Sequence, residues 1–192
     1  MKALKMKTRN NMNILKRQAG MTLTESLLVL SVGALVAVLA YGGYRMATSD
    51  VKVQSQTKGV VQLVGKIKQV FSSATDYSGV TLTNVINSRI VPTDFKVNGT
   101  TSIDNAWGGN ITPAVGNQAG GTPLTSFKLT ISNIPSEGCV DFLSGIASSA
   151  NSLWMNGTTA GTHDVKPAGG VFNAGTAATQ CANGGTAILV TQ

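Results

Sequence analysis

The sequence predicts an α+β protein in which one long N-terminal helix leads into a loop-rich head of short strands and short helices. Three observations carry this. Ser26 to Tyr44 contains no charged residue; the polar chain beyond it keeps an apolar residue on one helical face; and after Pro92 the pattern changes to short apolar segments divided by glycine turns.

The chain has 192 residues and a formal charge of +7. Lys2, Lys5, Lys7, Arg9, Lys16 and Arg17 lie in the first twenty residues, which hold no acid, and the other nine basic side chains face all eight acidic ones. Basicity therefore belongs to the N-terminus. A basic head before an apolar run is the arrangement that stays on the cytoplasmic side of a membrane, so a membrane is the expected partner and nucleic acid is not. The nineteen uncharged residues, at about 1.5 Å each, make a helix of nearly 30 Å, enough to cross the hydrocarbon core. Gly33, Gly42 and Gly43 mark points where it could stretch or bend.

Val53, Val60, Val64, Ile67 and Phe71 recur mostly at intervals of three, four and seven. The helix is therefore expected to continue from about Thr22 to about Ser73, membrane-embedded in its first half and amphipathic in its second. Leu82, Val85, Ile86 and Ile90 predict a short helix ended near Pro92. Asn98-Gly99, Gly108-Gly109, Gly120-Gly121, Asn156-Gly157, Gly169-Gly170 and Asn183-Gly184-Gly185 then read as turns. Phe127, Leu129 and Ile131 alternate with polar residues as in a half-buried strand. Cys139, Phe142, Leu143, Ile146, Ala147 and Ala150 share a helical face, and Ala187 to Thr191 read as a final strand entered from Cys181 across a glycine turn.

Cys139 and Cys181 are the two cysteines, and His163 is the single histidine. Standard ligands for zinc are lacking, and neither a metal nor a cofactor is expected. In an exported body, pairing the cysteines would close a loop of about forty residues and stabilise by roughly 4 kcal/mol; in a cytosolic protein they would be two buried thiols. Gly59 to Lys66, GVVQLVGK, is not a phosphate loop, because five residues separate its glycines and Ile67 stands where Ser or Thr is needed. The Asn-x-Thr sequons at Asn98, Asn110 and Asn156 are what chance gives in a chain this rich in Asn and Thr. His163 has no nucleophile at a recognisable spacing and reads as a surface histidine, and Trp107 and Trp154 read as packing anchors in the sheet. No enzymatic activity is expected.

Glu25 raises the sharpest question, since a carboxylate at the entrance to a membrane-length apolar run is costly unless partnered. The order here is a basic leader, Gly20, Met21-Thr22-Leu23-Thr24-Glu25, then the apolar run. A cut after Gly20 would leave the apolar run on the mature protein, whereas an ordinary secretory signal is removed with its apolar region. This pattern resembles the class III signal of type IV pilins and related pseudopilins. The resemblance implies that a prepilin peptidase cleaves after Gly20 and methylates the amine of Met21, and that Glu25 is the family's characteristic glutamate. A new ammonium at Met21 would lie about 6 Å, one helical turn, from Glu25. Pairing the carboxylate with an amine of a neighbouring chain, or its own, would remove the burial cost and set the stagger of subunits.

The twenty-residue leader, methionine at the first mature position and the C-terminal cysteine pair look like the type IVb subclass, typified by bundle-forming, toxin-coregulated and plasmid thin pili. Val91-Pro92-Thr93-Asp94-Phe95 and Asn105-Ala106-Trp107-Gly108-Gly109-Asn110 look like the loop and strand opening of those heads. The resemblance implies a long helix packed against an antiparallel sheet in a head stapled by Cys139 and Cys181. Residues 1–20 would be a cleaved leader, 21–50 a membrane and assembly helix, and 51–192 the head. The expected function is that of a structural subunit that polymerises through its N-terminal helix into a surface filament for adhesion, aggregation or mating contact. Expected partners are other copies of the chain, the prepilin peptidase, the inner-membrane assembly machinery and an outer-membrane secretin. The precursor would reside in the inner membrane and the product outside the cell. The alternatives are a type II secretion pseudopilin, a minor pilin, or a membrane-anchored or secreted binding protein cut after Ala40.

Overall fold

The computed structural model describes residues 22–71, 74, 76–116, 124–157 and 163–192. Gly20, Met21 and the Gly120-Gly121 turn lie outside them. The chain divides into two compact units, residues 1–43 and 44–192.

In the first unit the described residues form the opening of helix α1, which runs Leu23–Phe71. Its apolar side chains are exposed on every face, from Leu23 through Leu39 to Tyr41. A helix apolar all round belongs in lipid or among other helices. The hydroxyls within it are satisfied locally: Ser26 Oγ donates to Thr22 O at 3.2 Å and Ser31 Oγ to Leu28 O at 2.8 Å, so neither is left unpaired in an apolar setting. Gly33, Gly42 and Gly43 do not interrupt the helix.

The second unit contains the rest of α1 and the head. Val53, Gln56, Gly59, Val60, Leu63, Val64 and Ile67 are buried along one stripe of α1. Leu63 and Gln56 join the apolar positions legible in the sequence. Gln56 is tolerated because both ends of its amide are bonded: Nε2 donates to Asp94 O at 3.3 Å and Oε1 accepts from Ala106 N at 3.2 Å.

Helix α2, Leu82–Asn87, starts at Thr81, whose side chain accepts from Asn84 N. It ends before the expected stop at Pro92. Ser88 caps it and Arg89 takes φ 55°, a left-handed residue that turns the chain away, and Ile90 is buried beyond the helix end. A hairpin of β1, Lys96–Asn98, and β2, Ser102–Asp104, follows. Asn98 bonds Asp104 across its turn, where Gly99 supplies φ 56°.

The main sheet comprises β3 (Ile111–Gly116), β4 (Ser126–Ile134), β5 (Ser152–Met155), β6 (Asp164–Lys166) and β7 (Gly185–Thr191), in the order β3-β4-β7-β5-β6. Every pairing in it is antiparallel. The C-terminal strand is thus the middle one. Its register aligns Leu129, Leu189 and Leu153 across three strands and Ile131, Ala187 and Met155 beside them, all buried. One hydrophobic cluster joins these rows to the α1 stripe, to Phe142, Leu143 and Ile146 of α3 (Cys139–Ala147), and to Ala177 of α4 (Ala174–Gln180).

Candidate functional site: the N-terminal segment and the head staple

At the start of α1, Thr22 Oγ1 accepts from Glu25 N at 3.3 Å and Thr22 O accepts from Ser26 N at 3.0 Å. Thr22 therefore caps the helix, and Thr22-Leu23-Thr24-Glu25 has the spacing of a capping box. That signal was present in the sequence and is easily overlooked beside the glycine and glutamate that flank it. The Glu25 carboxylate stands in the first turn, where the helix dipole favours an anion by about 0.3–1 kcal/mol. It is exposed, and it makes no hydrogen bond or ion pair among the described residues. Gly20 and Met21, the other two residues singled out at this end, lie outside the described residues.

In the head, Cys139 and Cys181 are bonded, with Cα atoms 5.8 Å apart. Cys139 opens α3. Its helix face is anchored at the other end by Lys166, whose Nζ donates at 2.7 Å to both Ala147 O and Ala150 O, a cation on the helix C-terminus. Cys181 caps α4 rather than lying in the connection to the last strand. The sequence AGTAATQ offers no apolar periodicity from which α4 could be predicted, and Ala177 is its one buried residue among Ala174–Gln180. Asn173 starts it by accepting from Thr176 N at 3.0 Å. Met155 Sδ of β5 lies 3.4 Å from Cys139 Sγ and 3.7 Å from Cys181 Sγ, so the staple joins two helices directly over the sheet.

Two loops hold this arrangement. Asn105 is buried, donates from Nδ2 to Ser132 O at 2.8 Å, and accepts from Trp107 N and Gly109 N at 3.0 and 2.9 Å. A Cβ at Gly109 would come 2.2 Å from Ser132 O, which is why the Asn-Ala-Trp-Gly-Gly-Asn stretch needs glycine there. Trp107 lies in this turn, not in the sheet, and meets Phe142 edge-on at 5.0 Å; Trp154 is on β5 and buried. His163 is half-buried, with Nδ1 2.9 Å from Gln180 Oε1, so it braces α4 rather than standing free on the surface. Burial holds the Lys68 amine below the usual lysine range, and hydrogen bonds from the Ser78 side chain and backbone hold Asp76 below the usual carboxylate range. Among the described residues no cluster of His, Cys, Asp and Glu could hold a metal ion.

The fold of this head is that of a type IVb pilin from Salmonella typhi, with a TM-score of 0.52 at 15% identity, over 73% of this chain and 97% of that one. A family profile described as PilS N terminal matches residues 50–192. The chain belongs to the PilS family of type IVb pilins. A second profile, the prokaryotic N-terminal methylation motif, matches residues 15–41 of this pilin, the stretch that holds Gly20, Met21 and Glu25. The major structural subunit of bundle-forming pilus from Escherichia coli O127:H6 (strain E2348/69 / EPEC) is 28% identical over 144 residues, 73% of this chain and 72% of that subunit. The corresponding subunit from Escherichia coli O111:H- matches to the same extent. The relatives are described as structural subunits of a pilus, and together with the family match they support the function of a pilus subunit for this chain.

Proposed function

We propose that this pilin is the major subunit of its filament, processed after Gly20 and polymerised through its N-terminal helix with Glu25 setting the register. The division follows the sequence: a leader over 1–20, an assembly helix over 21–50 and a head over 51–192. The observation that carries the proposal is the first unit of α1, whose apolar side chains are exposed on all faces and unmatched by the chain's own core. Lipid satisfies such a surface before assembly, and the same segments of other copies satisfy it afterwards.

Glu25 is then the one charged side chain between Met21 and Tyr44, and its partner in the reading is the Met21 amine released by cleavage. A subunit placed out of register would bury both unpaired, at a cost of about 3–5 kcal/mol. Assembly through an inner-membrane machine and an outer-membrane secretin, and contact functions such as adhesion, aggregation or mating, belong to the same proposal. The methylation motif and the relatedness to a bundle-forming pilus subunit support it.

N-terminal mass spectrometry of the sheared filament fraction tests the reading. An N-methylated Met21 is the expected first residue. A mature chain beginning at Tyr41 would have lost Ser26 to Ala40 of the apolar run and would overturn polymerisation through that helix.

A further inference from the structure

Where the uncharged run ends, Arg45, Ser49 and Lys52 follow one another at intervals of four and three along one face of α1. With Trp107, Pro135 and Glu137 they line a cavity of about 260 Å³ in the second unit. Among the described residues, Arg45, Lys52 and Glu137 form no ion pair or side-chain hydrogen bond, and the Ser49 hydroxyl is equally unengaged. Two cations, one anion and an indole thus face one cavity without neutralising each other. The Trp107 ring is held in place from behind by its edge-on contact with Phe142.

We propose that this cavity takes the phosphoethanolamine headgroup of a bilayer lipid. The phosphate lies between the Arg45 guanidinium, whose fork matches two phosphate oxygens, and the Lys52 ammonium, with the Ser49 hydroxyl as a further donor. The lipid's ammonium lies on the Glu137 carboxylate and against the Trp107 ring, which attracts cations. A ligand carrying only negative charge leaves Glu137 opposed, and one carrying only positive charge is repelled by Arg45 and Lys52. A zwitterion with a phosphate and a primary ammonium meets both halves.

Position selects a lipid as the source. This step rests on reading Ser26 to Tyr44 as the membrane span with its basic leader in the cytoplasm, so that Arg45 is the first charged residue on the far side, at headgroup depth. Tyr41 and Tyr44 immediately before it are the residue type enriched at that depth. The site would hold the head against the outer face of the bilayer until the subunit is drawn into a filament, and it must release its lipid at that step.

The test uses the full chain in detergent micelles, titrated with dihexanoyl phosphatidylethanolamine, phosphatidylglycerol, phosphatidylcholine or inorganic phosphate while tryptophan emission is followed. Phosphatidylethanolamine should give a saturable change. Phosphatidylglycerol, which lacks the ammonium, and phosphatidylcholine, which has no N–H to donate to Glu137, should bind at least about tenfold more weakly. The double variant Arg45→Gln, Lys52→Gln should lose about tenfold or more for every lipid, and Glu137→Gln should abolish the preference for phosphatidylethanolamine over phosphatidylglycerol. Equal binding of the three lipids, or variants that bind like the parent, would overturn the proposal. A response to inorganic phosphate matching that of phosphatidylethanolamine would also overturn it, by showing a phosphate site without lipid selectivity. Membrane fractionation of cells separates the two layers of the argument: a precursor absent from the inner membrane sinks the spanning reading, whereas lost lipid discrimination in a membrane-resident chain sinks this site alone.

Discussion

Gly59 of α1 lies against Phe95, so close that a Cβ at position 59 would sit 2.7 Å from Phe95 Cζ and 3.3 Å from Asp94 Cβ. The segment carrying Phe95 is not free to retreat. Ser55 Oγ donates to Asp94 Oδ1 at 2.8 Å and Gln56 Nε2 to Asp94 O, so the turn of α1 before Gly59 grips the same loop. A mid-helix glycine that costs about 1 kcal/mol in propensity is retained because the head packs through it.

Gly59→Ala should accordingly destabilise the head by about 1 kcal/mol, the overpacking strain exceeding the gain in helix propensity, and Gly59→Val by about 3 kcal/mol. Gly65, in the same helix with nothing within 4 Å of its would-be Cβ, is the control: Gly65→Ala should stabilise by up to about 1 kcal/mol. Urea unfolding of the full chain in detergent measures both. Equal effects at the two positions would remove the role given to the Gly59–Phe95 contact.

The turn entering β7 should depend on Asn156. It sits at φ 57°; its Oδ1 accepts from Thr186 N at 3.0 Å, and its Nδ2 donates to Gln180 O at 3.0 Å and Gly184 O at 3.1 Å. Asn156→Ala loses all three bonds and adopts the left-handed region less readily, for an expected loss of about 2 kcal/mol or more. Asn156→Asp should fare no better, because a carboxylate would face the Gln180 and Gly184 carbonyls. Thermal unfolding of the two variants is the measurement, and a native-like midpoint for either would show that the turn holds itself. The same bonds occupy the amide of the sequon at Asn156.

Removing the staple should be felt beyond the cysteines. Cys139→Ser or Cys181→Ser should lower stability by roughly 2–5 kcal/mol and reduce pilin abundance. Because the Met155 sulfur rests on both cysteine sulfurs, Met155→Ala in the intact disulfide background should cost about 2–5 kcal/mol as well, through the cavity left under the bond. Denaturant titration with thiol counting checks both. Two alkylatable thiols in the folded, exported protein would contradict the bonded head.

Glu25→Ala should affect assembly and spare folding. The side chain belongs to the unit of residues 1–43 and is exposed, so it is no part of the head's buried cluster, and removing a charge eases insertion into the bilayer. Processed, disulfide-bonded pilin should accumulate in the inner membrane with few or no filaments. Glu25→Asp should restore little, since its carboxylate is one methylene short. Thr22→Ala, which loses the cap to Glu25 N, should cost the helix start about 1 kcal/mol and leave filaments formed. Electron microscopy and fractionation read all three, and abundant filaments from Glu25→Ala alone would leave helix packing as the sole source of register.

Much of this pilin is legible in its sequence because the signals are local. The uncharged run is marked by its length and composition, and the stripe from Val53 to Ile67, the alternation through Phe127, Leu129 and Ile131, and the face from Cys139 to Ala147 each repeat with the period of the element they form. Four of the five described glycine turns place a glycine at positive φ, at Gly99, Gly108, Gly169 and Gly184, for the steric reason that marks them in any chain, and in the fifth Asn156 takes that conformation beside Gly157. The tertiary structure alone decided what depends on distant partners. It placed β7 between β4 and β5, since an apolar strand does not state which edges it will pair with. It made a helix of AGTAATQ by packing Ala177 and bonding Cys181, where propensity is nearly neutral. It admitted Gln56 to an apolar stripe because Asp94 and Ala106 meet its amide, and it turned Gly59 from a weak point in a helix into the contact that seats Phe95. Periodicity is a property of neighbours along the chain, whereas pairing and close approach are properties of neighbours in space.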